Sequence, residues 1–356
     1  MDHNESMIAD AAERIFADLA DPQAAAMAKD ERWKTRLWDA LAEAGMTLAW
    51  VPEQFGGAGA EVADGFALLR VAGRFAAPVP LAETLLAGWL LGRAGIAAPS
   101  GPMTVAPVRR GDRVTLDADG KLSGRARAVP FARLAKHLAV VAEAPSGPTV
   151  ALVETKQCQL VEGRSLAGDP LDAVMFDRTW PLRSEPAPAG LDQAALMLMG
   201  ATARSLETAG ALSSILDMSV KYANERVAFE RPIAKFQAVQ HNLARLATEV
   251  AAAMMAAGSA ADAIARSPVK FDEGVFLEVA SARIRSAEAA TEGAAIAHQV
   301  HGAIGYTREH PLHRFTMRLL SWRDDYGNES QWAVDLGQLI AANGADQLWP
   351  LLAARG

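Results

Sequence analysis

The sequence predicts a protein of the α+β class that is mainly helical, and three observations lead to this class. Helical apolar periodicity fills residues 1–100, short β-rich runs fill 101–190, and helical periodicity returns over 191–356. The chain has 356 residues and is 51% hydrophobic, which is enough to bury the cores of two or three domains. We therefore expect an N-terminal helical domain, a middle antiparallel β-sandwich or barrel, and a C-terminal four-helix bundle.

The N-terminal domain is predicted from segments of helical period. The segment ERWKTRLWDALAEAGM places an apolar stripe on one helix face, formed by Trp33, Leu37, Leu41 and Ala44. Gly45 follows as a C-terminal stop. A loop with Pro52 and three glycines then leads into a helix from about Val62, and APVPLAETLLAGWLLGRAG forms another buried helix.

The middle segment changes to the short period of β-strands. The runs TVAPV, RVTLDA, LSGRARAV, HLAVVAEA, TVALVET and AVMFDR are β-rich, and RRGDR, DADGK and PSGP separate several of them as hairpin turns. Short, closely spaced strands favour an antiparallel sandwich or barrel over βαβ units. No dinucleotide-binding or P-loop glycine motif follows any strand, which excludes Rossmann and P-loop nucleotide sites.

From about residue 191 the sequence again has helical periodicity. Three long segments of helical period, rich in Ala, Leu and Met, are joined by short connections, and a fourth helix starts at about residue 309. Long helices with short connections predict an up-and-down bundle.

Composition excludes several classes of protein. The net charge is −7 and the basic residues are scattered, so we expect no nucleic-acid partner. Cys158 is the only cysteine, which excludes an internal disulfide framework and a cysteine-based zinc site. No secretion signal is evident, and no apolar run approaches the roughly 20 residues that span a bilayer. We expect a soluble, cytoplasmic protein without a membrane partner.

Two C-terminal motifs are distinctive enough to indicate a family. They are YANERVAFERPIAKFQAVQHNLARLA from Tyr222 to Ala247 and HQVHGAIGYTREHPLHRF from His298 to Phe315, and GMTLAWVPEQFGGAGAE near the N-terminus supports them. Over about residues 30–340 the chain resembles the acyl-CoA dehydrogenase family. The resemblance implies an FAD-dependent oxidoreductase of lipid metabolism that removes hydrogen from the α and β carbons of an acyl-CoA. It also implies a dimer or tetramer, of like or unlike subunits, and an electron-transfer flavoprotein or similar acceptor.

The resemblance assigns contacts with FAD to six positions, which are Arg226, Phe229, Gln237, Gln299, Gly302 and Asn328. By the family pattern Arg226 binds the pyrophosphate, a task that suits a planar, bidentate guanidinium. Phe229 and Gln237 match positions along the adenosine half, and Gln299 and Gly302 match a loop that reaches the cofactor from another subunit. Simpler interpretations stay open: Arg226 complements the dipole of its helix, and HGAIGY is only a helix stop.

The segment WRDDYGNES, residues 322–330, covers the position where many family members keep a proton-abstracting Glu before a Gly. Ungapped alignment of HPLHRF puts that position on Tyr326, before Gly327. A Tyr would need its pKa of about 10 lowered greatly to act near neutral pH. Asp325 has the right chemistry one residue away, and we take it as the catalytic candidate. The family's other position for the base falls near Gly200, which has no side chain.

Further departures from the family pattern concern the flavin. The T-E-P-x-x-G-S-D-like loop that packs against the flavin has no counterpart in APSGPMTVAPVRRGD, and Glu230 puts an anion where the motif has Gly. Such gaps occur in short members that pair as unlike subunits on bulky acyl-CoAs such as steroids. Three interpretations stay open: an FAD-dependent acyl-CoA dehydrogenase that acts alone or as half of a heteromer, a catalytically silent partner of an active subunit, and a flavin monooxygenase or redox-neutral enzyme.

Histidines cluster in the second motif, but they do not form a metal-binding pattern. His310 and His313 stand three residues apart without an accompanying H-E-x-x-H carboxylate. We expect these histidines to pack or to form hydrogen bonds, and we expect no metal site.

Overall fold

Five helices begin the chain in the computed structural model, which describes residues 7–28 and 30–353. Their bounds are Met7–Ala20 (α1), Pro22–Met27 (α2), Arg32–Glu43 (α3), Val62–Phe75 (α4) and Leu81–Arg93 (α5). The stripe on α3 buries Leu37 and Leu41 completely, whereas Trp33 is half-buried and Ala44 is exposed beyond the last turn. Gly45 takes a φ of 72°, a left-handed conformation that suits glycine at a helix end.

The middle of the chain forms one sheet, whose eight strands lie within the described residues. They are Met103–Ala106 (β1), Arg113–Leu116 (β2), Leu122–Pro130 (β3), His137–Ala144 (β4), Gly147–Glu154 (β5), Gln159–Val161 (β6), Leu171–Thr179 (β7) and Arg183–Pro186 (β8). The order is β6-β7-β3-β2-β4-β5-β8, with β1 beside β4. Most pairings are antiparallel, as expected, but β1 and β2 each pair with β4 in parallel. Helix α5 packs on this sheet against β1, β4 and β5.

Six α-helices follow the sheet within the described residues. They are Gln193–Glu225 (α6), Gln237–Arg266 (α7), Glu273–His301 (α8), Leu312–Trp322 (α9), Glu329–Asn343 (α10) and Ala345–Ala353 (α11). A two-stranded hairpin, Val227–Ala228 (β9) and Arg231–Pro232 (β10), joins α6 to α7. Helices α6, α7 and α8 pack on one another, and α9 packs on α6 and α8. The predicted fold class, with helices, a middle sheet and a C-terminal helical bundle, is confirmed.

Helix α6 is the longest element, and it links the bundle to the N-terminal helices through a close contact with α4. A Cβ at Gly73 of α4 would lie 2.1 Å from the carbonyl oxygen of Glu207, and a Cβ at Gly210 would lie 2.1 Å from that of Arg70. Only glycine permits this approach of two backbones. The contact holds the part of α6 that includes Glu207 and Gly210 against α4.

Within the described residues, no helix has the length and apolar character that crossing a membrane requires.

Candidate functional site

The loop between α9 and α10 is held in a defined shape by α10. Asn328 caps α10 by accepting from the backbone N–H of Gln331 at 2.9 Å, and the Gln331 side chain accepts from the Asn328 N–H at 3.2 Å. Trp332 Nε1 donates to the carbonyl of Tyr326 at 3.1 Å. Gly327 has a φ of 95° and Tyr326 one of 54°, so a non-glycine residue occupies the left-handed region. This backbone turns the Tyr326 side chain inward.

Tyr326 fills the space beside Gly200 on α6. The residue is 1% exposed, and a Cβ at Gly200 would lie only 2.2 Å from Tyr326 Cδ1. Burial and the nearby charge of Glu83 raise the pKa of the Tyr326 hydroxyl well above its usual value of about 10. Tyr326 is therefore neutral at physiological pH and cannot remove a proton from a substrate.

Arg204 lies at the centre of a buried group of charges, which we call the Arg204 cluster: Arg204, Glu83, Glu207 and Asp325. The Arg204 side chain is 3% exposed and donates through Nε to Asp325 Oδ2 at 2.9 Å. Its Nη1 and Nη2 donate to the carboxylates of Glu207 and Glu83. These partners come from α6, from α5 and from the loop before α10. The cluster therefore joins α5 of the N-terminal part to α6 and to the loop that carries Asp325 and Tyr326.

The Arg204 cluster holds three carboxyl groups around one guanidinium, and the pKa values reflect this imbalance. Burial raises the pKa of Glu83, and it raises the pKa of Glu207 to about 7, although the Arg204 charge opposes both shifts. Burial opposes the charge on Arg204, but the carboxylates of Glu83 and Glu207 outweigh it and raise the Arg204 pKa. One carboxyl of the cluster thus takes up a proton near neutral pH.

Arg283 of α8 is a second buried cation, and it holds the backbone of the loop. It donates to the carbonyls of Asp325 at 2.8 Å and Gly327 at 3.2 Å, and also to that of Trp322. Burial lowers the Arg283 pKa to about 10, which still leaves the group charged at neutral pH. Through its Nε and Nη2 donors Arg283 fixes the backbone position of Asp325, and the charge of Asp325 in turn favours the charged form of Arg283.

We expect Glu207→Gln to change how stability depends on pH. The pKa of Glu207 is raised from 4.5 to about 7 by folding, so the folded state holds the proton more tightly than the unfolded state. Stability therefore falls as pH rises from about 4.5 to about 7, with a slope of at most ~1.4 kcal/mol per pH unit. The variant lacks this carboxyl, and its unfolding free energy should change less over that range. Urea unfolding at a series of pH values measures the difference, and equal pH profiles would contradict the assignment.

Five of the six cofactor positions lie on the outside of the bundle. They are Arg226, Phe229, Gln237, Gln299 and Gly302, and all are exposed. Arg226 and Gly302 follow the ends of α6 and α8, and these ends meet because the Tyr222 ring stacks on His301 with centroids 4.6 Å apart. The sixth position, Asn328, uses its side chain as the cap of α10. The structure thus brings Arg226 and Gly302 to one corner of the bundle.

The hairpin between α6 and α7 projects an apolar side chain from this corner. Phe229 and Glu230 are its two turn residues, with φ values of 51° and 65°, as a two-residue hairpin loop of this twist requires. Phe229 is 89% exposed, and its ring meets that of Phe236 edge to face at 6.2 Å. An exposed guanidinium and an exposed aromatic ring are side chains that suit a pyrophosphate and an adenosine, and the assignment of Arg226 and Phe229 to FAD stays a prediction.

Four buried charged groups were not predicted from the sequence: Glu83, Arg204, Glu207 and Arg283. Glu83 stands in the otherwise apolar run LAETLLAGWLL of α5, and it is fully buried. A lone acid in such a run is a usable sequence signal, because an unpaired buried charge is costly. Glu207 and Arg283 lie in Ala-rich helices among other charged residues, and nothing in the sequence separates them from solvated ones.

The clustered histidines pack against aromatic rings and bond to neighbouring groups. His298 Nε2 lies 2.8 Å from Thr316 Oγ1, and His301 Nδ1 bonds to the carbonyl of Ala297 at 2.8 Å. Burial lowers the pKa of His310 to about 4, with the charge of His301 adding to this shift, so the ring is neutral at physiological pH. In the part of the chain that the structure describes, no three metal-ligating side chains come together.

Comparisons with known proteins agree with the resemblance noted from the sequence. The family models described as the N-terminal and C-terminal domains of acyl-CoA dehydrogenase match residues 2–98 and 190–323. Acyl-CoA dehydrogenase IpdE2 of Mycobacterium tuberculosis is 30% identical over 318 residues, which cover 88% of this chain and 89% of that protein.

Two solved structures share the whole fold. The Tcur3481-Tcur3483 steroid ACAD variant is 29% identical with a TM-score of 0.80, and the match covers 94% of this chain and 97% of that one. The ChsE4-ChsE5 complex from Mycobacterium tuberculosis is 23% identical with a TM-score of 0.84, covering 97% and 99%.

Proposed function

Because this chain belongs to the acyl-CoA dehydrogenase family, we propose that it is one subunit of a heteromer whose proton-abstracting carboxylate lies on the other subunit. Family membership makes the chain an FAD-dependent oxidoreductase that acts on a CH–CH bond of an acyl-CoA. One observation supports the division of that activity between two subunits.

That observation is the packing of Tyr326 against Gly200. Both positions where family members keep their base are thereby unavailable in this chain, because one is a glycine and the other a neutral, fully buried phenol. No shift of the Tyr326 ring toward α6 is open, since a Cβ at Gly200 would already overlap it. A substrate α-carbon therefore has no carboxylate of this chain at the family position.

The cofactor positions support the other half of the proposal. Arg226, Phe229 and Gln299 are exposed on the outside of the bundle, where they are free to contact a second chain. We propose that Arg226 binds the pyrophosphate and Phe229 the adenosine of an FAD whose flavin lies in the partner, with Gln237, Gln299 and Gly302 around them. When bound, FAD supplies the acceptor for the hydride that leaves the β-carbon. The residues of this chain would then orient the cofactor and exclude water from its adenosine end.

A second candidate keeps the base in this chain at Asp325. Asp325 is one residue from the family position in sequence, and it shares the buried cluster with Glu207, whose pKa is about 7. Against it, one carboxylate oxygen is bonded to Arg204 and the residue is only 7% exposed. Substrate would have to separate Asp325 from Arg204 before the carboxylate could act.

The likeness to a steroid ACAD at 29% identity supports a bulky, steroid-derived acyl-CoA as substrate. We further propose a tetramer of two unlike pairs, an electron-transfer flavoprotein or similar acceptor, and a cytoplasmic location.

The division of the site between two subunits predicts the FAD content of the complex. We expect the chain to co-purify with the product of a neighbouring dehydrogenase-like gene, and the complex to hold fewer FAD molecules than chains. Arg226→Met should lower FAD binding by the complex, because it removes the pyrophosphate contact. Arg245→Met is the control and should not lower it, because Arg245 is an exposed residue of α7 that pairs with Glu292.

Asp325→Asn separates the two candidates. Unchanged turnover by a complex that carries this variant supports a base on the partner. Loss of turnover with FAD content retained favours Asp325. A chain that binds one FAD per protomer by itself and oxidises acyl-CoA would contradict the heteromer.

A further inference from the structure

A cavity of about 520 Å³ lies where the three parts of the chain meet. Trp33 and Pro78 line it from the N-terminal helices, the loop 166–169 before β7 lines it from the sheet, and Arg314 and Met317 line it from α9. Its volume falls within the range of about 300–1,000 Å³ that small-molecule sites occupy, and junctions of domains are favoured places for such sites. None of the residues of the Arg204 cluster and none of the cofactor positions line it.

Arg314 is the residue that indicates a binding site in this cavity. Its guanidinium lies over the Trp33 ring, with Cζ 5.6 Å from the ring centroid. Its Nη1 is buried and has no hydrogen-bond partner within the described residues. Burial lowers the Arg314 pKa to about 10, and the charge of Arg318 adds to the shift. The group stays charged at neutral pH, so a buried cationic N–H is left unsatisfied, which is costly.

The acidic side chains that line the cavity each bond to a cation other than Arg314. Asp169 bonds Arg318 at 3.0 Å, Glu31 pairs with Lys34, and Asp30 bonds Arg32 Nε at 2.8 Å. Asp169 and Glu31 are near enough for their charges to favour the charged form of Arg314, but in the part of the chain that the structure describes no acid lies within ion-pair distance of it. Arg308, which also lines the cavity, adds a further positive charge.

We infer that this cavity binds a small organic anion, whose carboxylate or phosphate head pairs with Arg314 and whose apolar body lies against Trp33 and Met317. A guanidinium with a free edge offers parallel N–H donors that match carboxylate and phosphate oxygens. The remaining walls include Leu166 and Pro78, so the cavity admits an apolar body that inorganic phosphate lacks. Because residues from all three parts of the chain line it, such a ligand would hold those parts together.

The test is calorimetric titration of the full chain with four probes: phenyl phosphate, benzoate, inorganic phosphate and benzyl alcohol. We expect phenyl phosphate and benzoate to bind, inorganic phosphate to bind at least tenfold more weakly than phenyl phosphate, and benzyl alcohol not to bind. Arg314→Met should weaken the binding of both organic anions tenfold or more. Arg314→Lys keeps the charge but loses the bidentate fork, so an intermediate affinity is expected. Arg245→Met, which alters an exposed ion pair on α7, should leave binding unchanged.

Several results would overturn the inference. If neither organic anion binds, the cavity is not an anion site. Equal affinity for inorganic phosphate and phenyl phosphate would show that the apolar body does not contribute to binding, and equal affinity for benzyl alcohol and benzoate would show that the negative charge does not. Unchanged affinity in Arg314→Met would show that Arg314 does not bind the anion. If Arg314→Met does not fold, Arg314→Lys decides alone, and affinity equal to that of the unaltered protein would contradict the guanidinium contact.

Discussion

Replacing Arg204 by Met is expected to destabilise the folded chain more than any other loss of a single ion-pairing side chain. The change leaves Glu83, Glu207 and Asp325 buried without the one cation that forms an ion pair with all three. Removing one partner of a buried ion pair typically costs about 3–5 kcal/mol, because the remaining charge stays desolvated. Urea unfolding should show a loss of this order. The loss should be smaller at about pH 5 than at about pH 8, because protonation neutralises the orphaned carboxyls.

Arg245→Met provides the matched control for this variant. Arg245 pairs with Glu292 on the surface of the bundle, where its side chain is 62% exposed. Exposed pairs contribute about 1 kcal/mol or less. If Arg204→Met cost no more than Arg245→Met, the buried cluster would not contribute to stability as described.

Gly200→Ala is expected to have the second large effect, although the change is small and lies in a helix. The new Cβ would lie 2.2 Å from Tyr326 Cδ1 and 2.4 Å from its Cε1. Overpacking of this kind costs roughly 1–3 kcal/mol and exceeds what alanine gains over glycine in a helix, about 1 kcal/mol. Thermal unfolding should therefore show a lower Tm for the variant.

Gly258→Ala on α7 is the matched control, because a Cβ there meets nothing within 4 Å. It should stabilise the chain by about 0.5–1 kcal/mol through helix propensity. Combining Gly200→Ala with Tyr326→Leu should recover part of the loss, because the shorter side chain leaves room for the methyl group. If Gly200→Ala raised the Tm as Gly258→Ala does, the Tyr326 ring would not occupy this space.

Periodicity predicted the long helices and six of the eight described strands because those elements bury one face or both. Leu37 and Leu41, four residues apart on α3, show this most plainly. Strands β6 and β8, which have no buried residue, were not predicted. Pattern could not predict the parallel pairing of β1 and β2 with β4, since the register of strands distant in sequence depends on the packing of α5 and the loops.

The candidate site was predictable in position but not in chemistry. The segment WRDDYGNES indicated where the loop would lie, and Gly200 was flagged as the other family position. The left-handed backbone of Tyr326 was not predictable, because that conformation is unfavourable for a tyrosine and is imposed by Arg283, Trp332 and the cap of α10. Asp325 stays a prediction as the catalytic base, as do the six cofactor contacts.

The central claim is that this chain has no working base of its own at the family position, and one absorbance measurement tests it most directly. The chain is purified alone, supplied with FAD, and mixed under anaerobic conditions with a saturated steroid-derived acyl-CoA. The account predicts that the visible flavin absorbance stays unchanged, and that it is bleached once the partner subunit is added. Stoichiometric bleaching by this chain alone would contradict the account.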